Sequence, residues 1–243
     1  MSGAFRGFGG DNSSSPQPNF REQVQNFSVT NAPTIVITSG AGDINISTGS
    51  SSSVVSIQES SNGGFFGNPR DANVNATQNG NTITVNDQGD PSGDVGLDVV
   101  VPSNASLQIT TTDGSIAVDG INGQMTLQSN NGNVTANNDV FTGSSTLSSQ
   151  SGDVTFSGSI DTGNYQFQSN SGSVNVTLPS DSNFQVNAST NSGSINSDFS
   201  SVNPQSQGNG SAAHGNVGNS SAAKQTTLTL TSDSGDINLN KAS

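Results

Sequence analysis

A chain of 243 residues with 18 acidic side chains against five Lys and Arg carries a net charge of −13, which disfavours nucleic acid and anionic membrane as partners. The absence of cysteine excludes disulfides and thiolate metal sites. No apolar run is long enough to span a membrane and no signal-peptide pattern is visible, so this chain is expected neither to insert into a bilayer nor to show its own export signal.

Residues 1–26 are Gly-, Ser- and Pro-rich, with Phe5, Arg6 and Phe8 as bulky exceptions, and read as a disordered leader or linker. The remainder, 27–243, reads as one elongated domain. Phe27 and Val29 open the first strand, and apolar residues at 35–37 and 44–46 flank Gly42. From 48 to 106 the pattern is irregular, with apolar positions at Val54, Val55, Ile57, Ile83, Val85, Leu97, Val99 and Val101, the last run stopping at Pro102. A mobile insertion is expected near 60–75, its Phe65 and Phe66 either capping the exposed end of the stack or serving as a contact point. Residues 107–198 are strongly regular. Residues 200–224, low in complexity and holding His214, read as an extruded mobile loop, and 226–239 as the last coil.

The regularity is a repeat centred on glycine. Gly42, Gly114, Gly132, Gly152, Gly172, Gly193 and Gly235 each sit in a polar Ser/Asn/Asp corner, and from Gly114 to Gly193 the steps are 18, 20, 20 and 21 residues. The final step of 42 is twice 21. Seven residues before the glycine stand Ile35, Leu107, Met125, Ser145, Tyr165, Val186 and Leu228; two after it stand Ile44, Ile116, Val134, Val154, Val174, Ile195 and Ile237. Positions five before and four after are similarly apolar. The position three before is always Ser or Thr, and its hydroxyl is expected to enter the corner and satisfy backbone groups.

Because a strand alternates faces every residue, each phrase is strand, corner, strand with one apolar side. The glycine supplies the positive φ of a tight corner. The same side-chain class at the same offset predicts like stacked on like, hence an all-β fold: a single-stranded parallel β-solenoid with coils of about 20 residues and an irregular N-terminal part. Antiparallel hairpins in a sandwich are the competing arrangement.

With this register in place, the sequence resembles a bacterial family of proposed adhesins, a domain of unknown function made of β-strand repeats and related to the autotransporter-adhesin head domain. The residues that carry the resemblance are Leu97-Asp98-Val99-Val100-Val101-Pro102, Asp113-Gly114-Ser115-Ile116-Ala117-Val118 and Ser171-Gly172-Ser173-Val174-Asn175-Val176-Thr177-Leu178-Pro179. The resemblance spans about 27–240 and implies a β-helix at a cell surface or in an ectodomain, with no catalytic residues to transfer.

Chemistry is sparse. The basic residues Arg6, Arg21, Arg70, Lys224 and Lys241 are placed outside the regular coils, where a lyase would need cations. Asp113, Asp119, Asp153 and Asp161 read as turn formers rather than an opposed glycosidase pair. Asp43, Asp153 and Asp236 share one offset but alternate with Ser and Asn, and the calcium-binding nonapeptide is absent, so no metal or cofactor is expected. The outward strand positions are uncharged: Thr110, Thr126, Gln128, Thr146, Gln166, Gln168, Thr229 and Thr231 lead a flat polar face. Such a face offers spaced donors and acceptors to a glycan, a cell-wall polymer or a protein.

The sequence therefore predicts a non-catalytic, extracytoplasmic adhesive or scaffold module. A carbohydrate-active β-helix enzyme is the alternative from another class. A third is self-assembly through the last coil, which reads as an open, uncapped edge.

Overall fold

The computed structural model describes residues 24–61, 74–88, 95–219 and 226–242. In chain order the strands begin with β1 (Val24–Ser28), β2 (Thr34–Ala41), β3 (Ile44–Thr48), β4 (Val54–Ser61), β5 (Val74–Asn79), β6 (Thr82–Asp87) and β7 (Val95–Val101). The regular middle holds β8 (Ser106–Asp113), β9 (Ile116–Asp119), β10 (Asn122–Gly123), β11 (Met125–Asn131), β12 (Val134–Phe141), β13 (Ser145–Ser151), β14 (Val154–Ile160), β15 (Gly163–Ser171) and β16 (Val174–Leu178). Then come β17 (Phe184–Ser192), β18 (Ile195–Ser197), β19 (Asn203–Gln207), β20 (Gly210–Val217), β21 (Thr226–Ser234) and β22 (Ile237–Lys241).

These strands form two 11-stranded sheets. Sheet I runs β1-β4-β7-β3-β9-β12-β14-β16-β22-β18, with β10 beside β12; sheet II runs β19-β20-β17-β21-β15-β13-β11-β8-β2-β6-β5. Each glycine phrase gives its first strand to sheet II and its second to sheet I. Its alternate apolar residues point between the sheets, where Ile35, Leu127, Phe156, Phe167, Leu230 and Ile237 are fully buried. An aromatic cluster fills the middle: Phe141 lies 4.4 Å from Phe156 and Phe156 lies 5.5 Å from Phe167, centroid to centroid.

Like sits on like. Ile37, Ile109, Leu127, Leu147, Phe167, Leu230 and Ala188 are successive partners across parallel strands of sheet II. Ile44, Ile116, Val134, Val154, Val174, Ile237 and Ile195 do the same in sheet I. Pairing among the glycine phrases is parallel, and among the described strands antiparallel pairs occur only towards the two ends, at β1/β4, β4/β7, β5/β6, β17/β20 and β19/β20.

The corner explains both the glycine and the hydroxyl. Gly114, Gly132, Gly152, Gly172, Gly193 and Gly235 take φ between 147° and 157°, and Gly42 takes 96°. A Cβ on Gly152 would fall on the Gly132 carbonyl, 2.6 Å from its carbon. Successive corners thus stack backbone on backbone with no room for a side chain. Into each corner a hydroxyl donates from the neighbouring rung: Ser129 to Gly114 O at 2.8 Å, Ser149 to Gly132 O at 2.7 Å, Ser169 to Gly152 O at 2.8 Å, Ser232 to Gly172 O at 2.9 Å and Thr190 to Gly235 O at 2.8 Å. Thr111 breaks the series, its buried Oγ1 having no partner.

The order of rungs corrects several expectations. The rung β21/β22 lies between β15/β16 and β17/β18, hydrogen-bonded on both sides. The open terminal edge is therefore absent, and homo-association through that coil loses its basis. At the other end β2/β3 lies between β6/β7 and β8/β9, because Ile83 and Val85 repeat the spacing of Ile35 and Ile37 and take their register. The winding consequently does not follow chain order at either end. Residues 203–217, expected as part of a mobile loop, form the hairpin β19/β20 alongside β17, since Ala213 and Val217 are buried in the core with Phe199 and Val202, and Gly210 packs against the Thr190 and Asn191 carbonyls. Ser211 even extends the corner series, donating to Gly193 O at 3.2 Å. Residues 24–26, assigned to the leader, belong to β1, whose partner is β4. Lys241, placed outside the regular coils, ends β22 with its ammonium 5.2 Å from the Phe199 ring. The rest of the leader, residues 62–73 of the insertion with Phe65 and Phe66, and residues 220–224 lie outside the described residues.

Candidate contact surface

Sheet II turns to water a polar face whose two central rows are uncharged. Across its strands one row runs Gln108, Thr126, Thr146, Gln166, Thr229, Asn187 and the next runs Thr110, Gln128, Ser148, Gln168, Thr231, Ser189. All eight candidate residues named from the sequence lie in these two rows. Thr229 and Thr231 stand between the Gln166/Gln168 and Asn187/Ser189 pairs, a neighbourhood that chain order conceals. Thr110, Gln128, Gln166 and Gln168 are exposed; Thr126, Thr146, Thr229 and Thr231 are half-buried. Rungs repeat at about 4.8 Å, and same-face residues along a strand at about 6.7 Å, which sets the grid.

The rows extend in both directions. Past Asn187 comes His214 of β20, whose Nδ1 lies 2.9 Å from Asn187 Oδ1. That contact fixes a histidine that sequence reasoning left in a loose loop. On the other side Val36 and Thr38 continue the rows, and Val36 interrupts the polar surface. Among the described residues, the row side chains make few hydrogen bonds inside the protein, such as Gln168 Nε2 to Asn170 Oδ1 at 3.4 Å.

Sheet I behaves differently. Asn196 Nδ2 donates to Asn238 Oδ1 at 3.0 Å and Asn238 Nδ2 donates to Asn175 Oδ1 at 2.9 Å, an amide ladder in which the middle residue both donates and accepts. Beside the corners, the Ser115 N–H donates to Asp43 Oδ1 at 2.8 Å, the Asp153 N–H to Asn133 Oδ1 at 2.8 Å, the Ser173 N–H to Asp153 Oδ1 at 2.7 Å and the Ser194 N–H to Asp236 Oδ1 at 2.8 Å. Any short side chain with an acceptor oxygen serves there, which is why Asp alternates with Asn and Ser. Asp113 and Asp119 accept from the amides of Asn131 and Asn138, each at 2.7 Å. These carboxylates are thus occupied in holding rungs together. No group of three or more His, Asp or Glu positioned for a metal ion occurs among the described residues.

One acidic side chain escaped notice in the sequence. Asp139 in β12 is 1% exposed, its Oδ1 accepts the Ile121 N–H at 2.6 Å, and its Oδ2 is buried without a partner. Burial, followed by the nearby charge of Asp119, pushes its carboxyl up to about 7 against the pull of backbone donors at Ile121 and Gly120. The run Asn137, Asn138, Asp139 looks like any polar turn, and nothing in it announces a buried acid.

The fold is shared with a solved structure. A proposed cell adhesion protein from Clostridium sporogenes superposes with a TM-score of 0.51 at 12% identity, over 91% of this chain and all of that one. A proposed adhesin from Bacteroides fragilis gives a TM-score of 0.39 at 10% identity, over 93% of this chain and 99% of its own. No curated protein matches the chain. No helix among the described residues is long and apolar enough to cross a membrane. The profile of the family Toastrack DUF4097 matches residues 26–240, and the chain belongs to that family.

Proposed function

We propose that this chain is a non-catalytic adhesive or scaffold module that works outside the cytoplasm, at or near a cell surface, and that the outer face of sheet II is its contact surface for a glycan, a cell-wall polymer or a protein. The regular middle is read as a single-stranded parallel β-solenoid, and the domain as one unit carrying that face. The observation behind the reading is the contrast between the sheets. Sheet I ties its outward amides into a ladder, whereas the rows of sheet II hold out Thr110, Gln128, Gln166 and their neighbours with side chains directed to water. Neutral hydroxyls and amides on a fixed grid suit polyhydroxylated or peptide partners, which present matching donors and acceptors. Names of the structural neighbours point the same way.

The test is a glycan array together with pull-down on cell-wall preparations and whole bacterial cells. The paired variant Gln128→Glu, Gln166→Glu places charge in the middle of the face without touching the core. Binding by the unsubstituted chain that falls at least tenfold in the variant supports the assignment. Binding that survives the variant overturns the choice of face, and no binding to any of the three reduces the role to scaffold.

A further inference from the structure

Asp139 has no part in the contact surface, and its setting is unlike that of the other acids. Between Asn137 and Asp139 the register of β12 against β14 slips by one residue, and Asn138 takes φ 56° to absorb it. The bulge turns the carboxyl inward. Gly158 lies opposite it on β14, where an added Cβ would run into the Asp139 backbone. On the other side the chain leaving β9 presents Gly120 and Ile121, with the Ile121 N–H on Oδ1 and the Val140 N–H returning to Ile121 O at 2.8 Å.

We propose that Asp139 is a proton-operated latch on the corner between β9 and β10: neutral, it closes over Gly120 and Ile121; ionised, it lets that corner open to water. An ionised carboxylate here would hold one oxygen without a donor in a buried site, and its nearest charge is the acid Asp119. Asn137, Asn138, Ser157, Gly158 and Ser159 bring no charge from β12 and β14. Among the described residues, Lys241 lies on β22, three strands away from β12 in sheet I, and His214 lies on β20 in sheet II. Opening hydrates the carboxyl and restores its ordinary acidity. The closed state therefore retains a proton that the open state releases between the usual carboxylate range, near 3.8, and about 7. The latch tightens as pH falls through neutrality.

The experiment is amide hydrogen exchange of Ile121 and Val140 on the whole chain, followed from pH 5 to 8 and corrected for the intrinsic rate. The opening constant should rise about 100-fold over that range and level off above pH 7, while the amides of the edge strands β5 and β19, which exchange by local fraying, stay flat. A carboxyl carbon titration by NMR should place Asp139 near neutrality, and Asp119→Asn should move its midpoint down. Asp139→Asn should remove the pH dependence of Ile121. Flat exchange at Ile121 in the unsubstituted protein, or an Asp139 carboxyl that titrates below pH 5, overturns the proposal whether or not the variants fold.

Discussion

Gly152→Ala tests the corner geometry on which the stacking depends. The methyl would be forced to φ 154°, a region that costs a non-glycine residue about 1–3 kcal/mol. It would also land on the Gly132 carbonyl, which already accepts the Ser149 hydroxyl at 2.7 Å. Overpacking of that kind adds about 1–3 kcal/mol, because backbone and not a flexible side chain must give way. The expected loss is about 4 kcal/mol, or on the order of 12 °C in melting temperature for a domain of this size. Gly143 is the control: φ is 111° there, but an added Cβ meets nothing within 4 Å. Gly143→Ala should lose only the conformational part, about 2 kcal/mol. Urea titrations followed by circular dichroism, with refolding arms, give both values. In the double variant Gly152→Ala, Ser149→Ala the losses should fall short of additivity, since both act on one carbonyl. Equal destabilisation by Gly152→Ala and Gly143→Ala would refute the close approach of neighbouring corners and leave only backbone strain.

The hydroxyl series predicts opposite results at two similar positions. Ser169→Ala removes a donor to Gly152 O and should lower unfolding free energy by about 1–2 kcal/mol, whereas Thr111→Val removes a partnerless buried hydroxyl and should be neutral or stabilising in the same titration. Asp153→Asn keeps an acceptor for the Ser173 N–H and should hold the melting temperature, while Asp153→Ala should lose about 1 kcal/mol; equal loss in both would mean that charge, not acceptor geometry, matters there. For the whole protein, the raised carboxyl of Asp139 contributes stability that is complete below the ordinary carboxylate range and is lost as pH climbs towards 7. Unfolding free energy should therefore fall by about 3 kcal/mol more between pH 5 and 8 in the unsubstituted chain than in Asp139→Asn.

Much of this fold could be read from spacing alone, for a physical reason. A parallel stack puts identical offsets in contact, so Leu107, Met125, Tyr165 and Leu228 had to share one column whichever rung came next. The same property hides the order of the rungs. Leu228 and Leu230 present the alternation that Val186 and Ala188 present, and either pair fits against Tyr165 and Phe167. A step of 42 residues therefore looked like a coil replaced by a loop, when the intervening chain had built β19 and β20 at the end of the stack and returned to fill the rung beneath. The hairpin was concealed by its composition. Asn, Gln, Ser and Gly dominate 203–217, and the inward residues of β20, Ser211, Ala213, Gly215 and Val217, alternate as in any strand but include a single bulky apolar side chain. Asp139 was hidden differently: a bulge changes which face a residue occupies, and no alternation pattern survives one.

The rearranged ends answer a problem that a regular spiral leaves open. A stack of parallel rungs finishes in bare strand edges, which recruit other chains. Here sheet II ends in β19, whose Pro204 has no N–H to offer, and β18 closes sheet I with a strand of only three residues. At the opposite end β1, β4 and β5 run antiparallel to the strands they cover. Meanwhile β2/β3 and β21/β22, the first and last glycine phrases read along the sequence, are each held between two rungs. Fraying either of them means breaking hydrogen bonds on two sides of both sheets, whereas fraying a rung at the end of a simple spiral breaks them on one. The columns of like residues make this exchange of places possible, since a rung that fits one position fits the next. Uniform register, which looks like simple repetition, is what allows rungs far apart in the chain to exchange places and cover the ends of the stack.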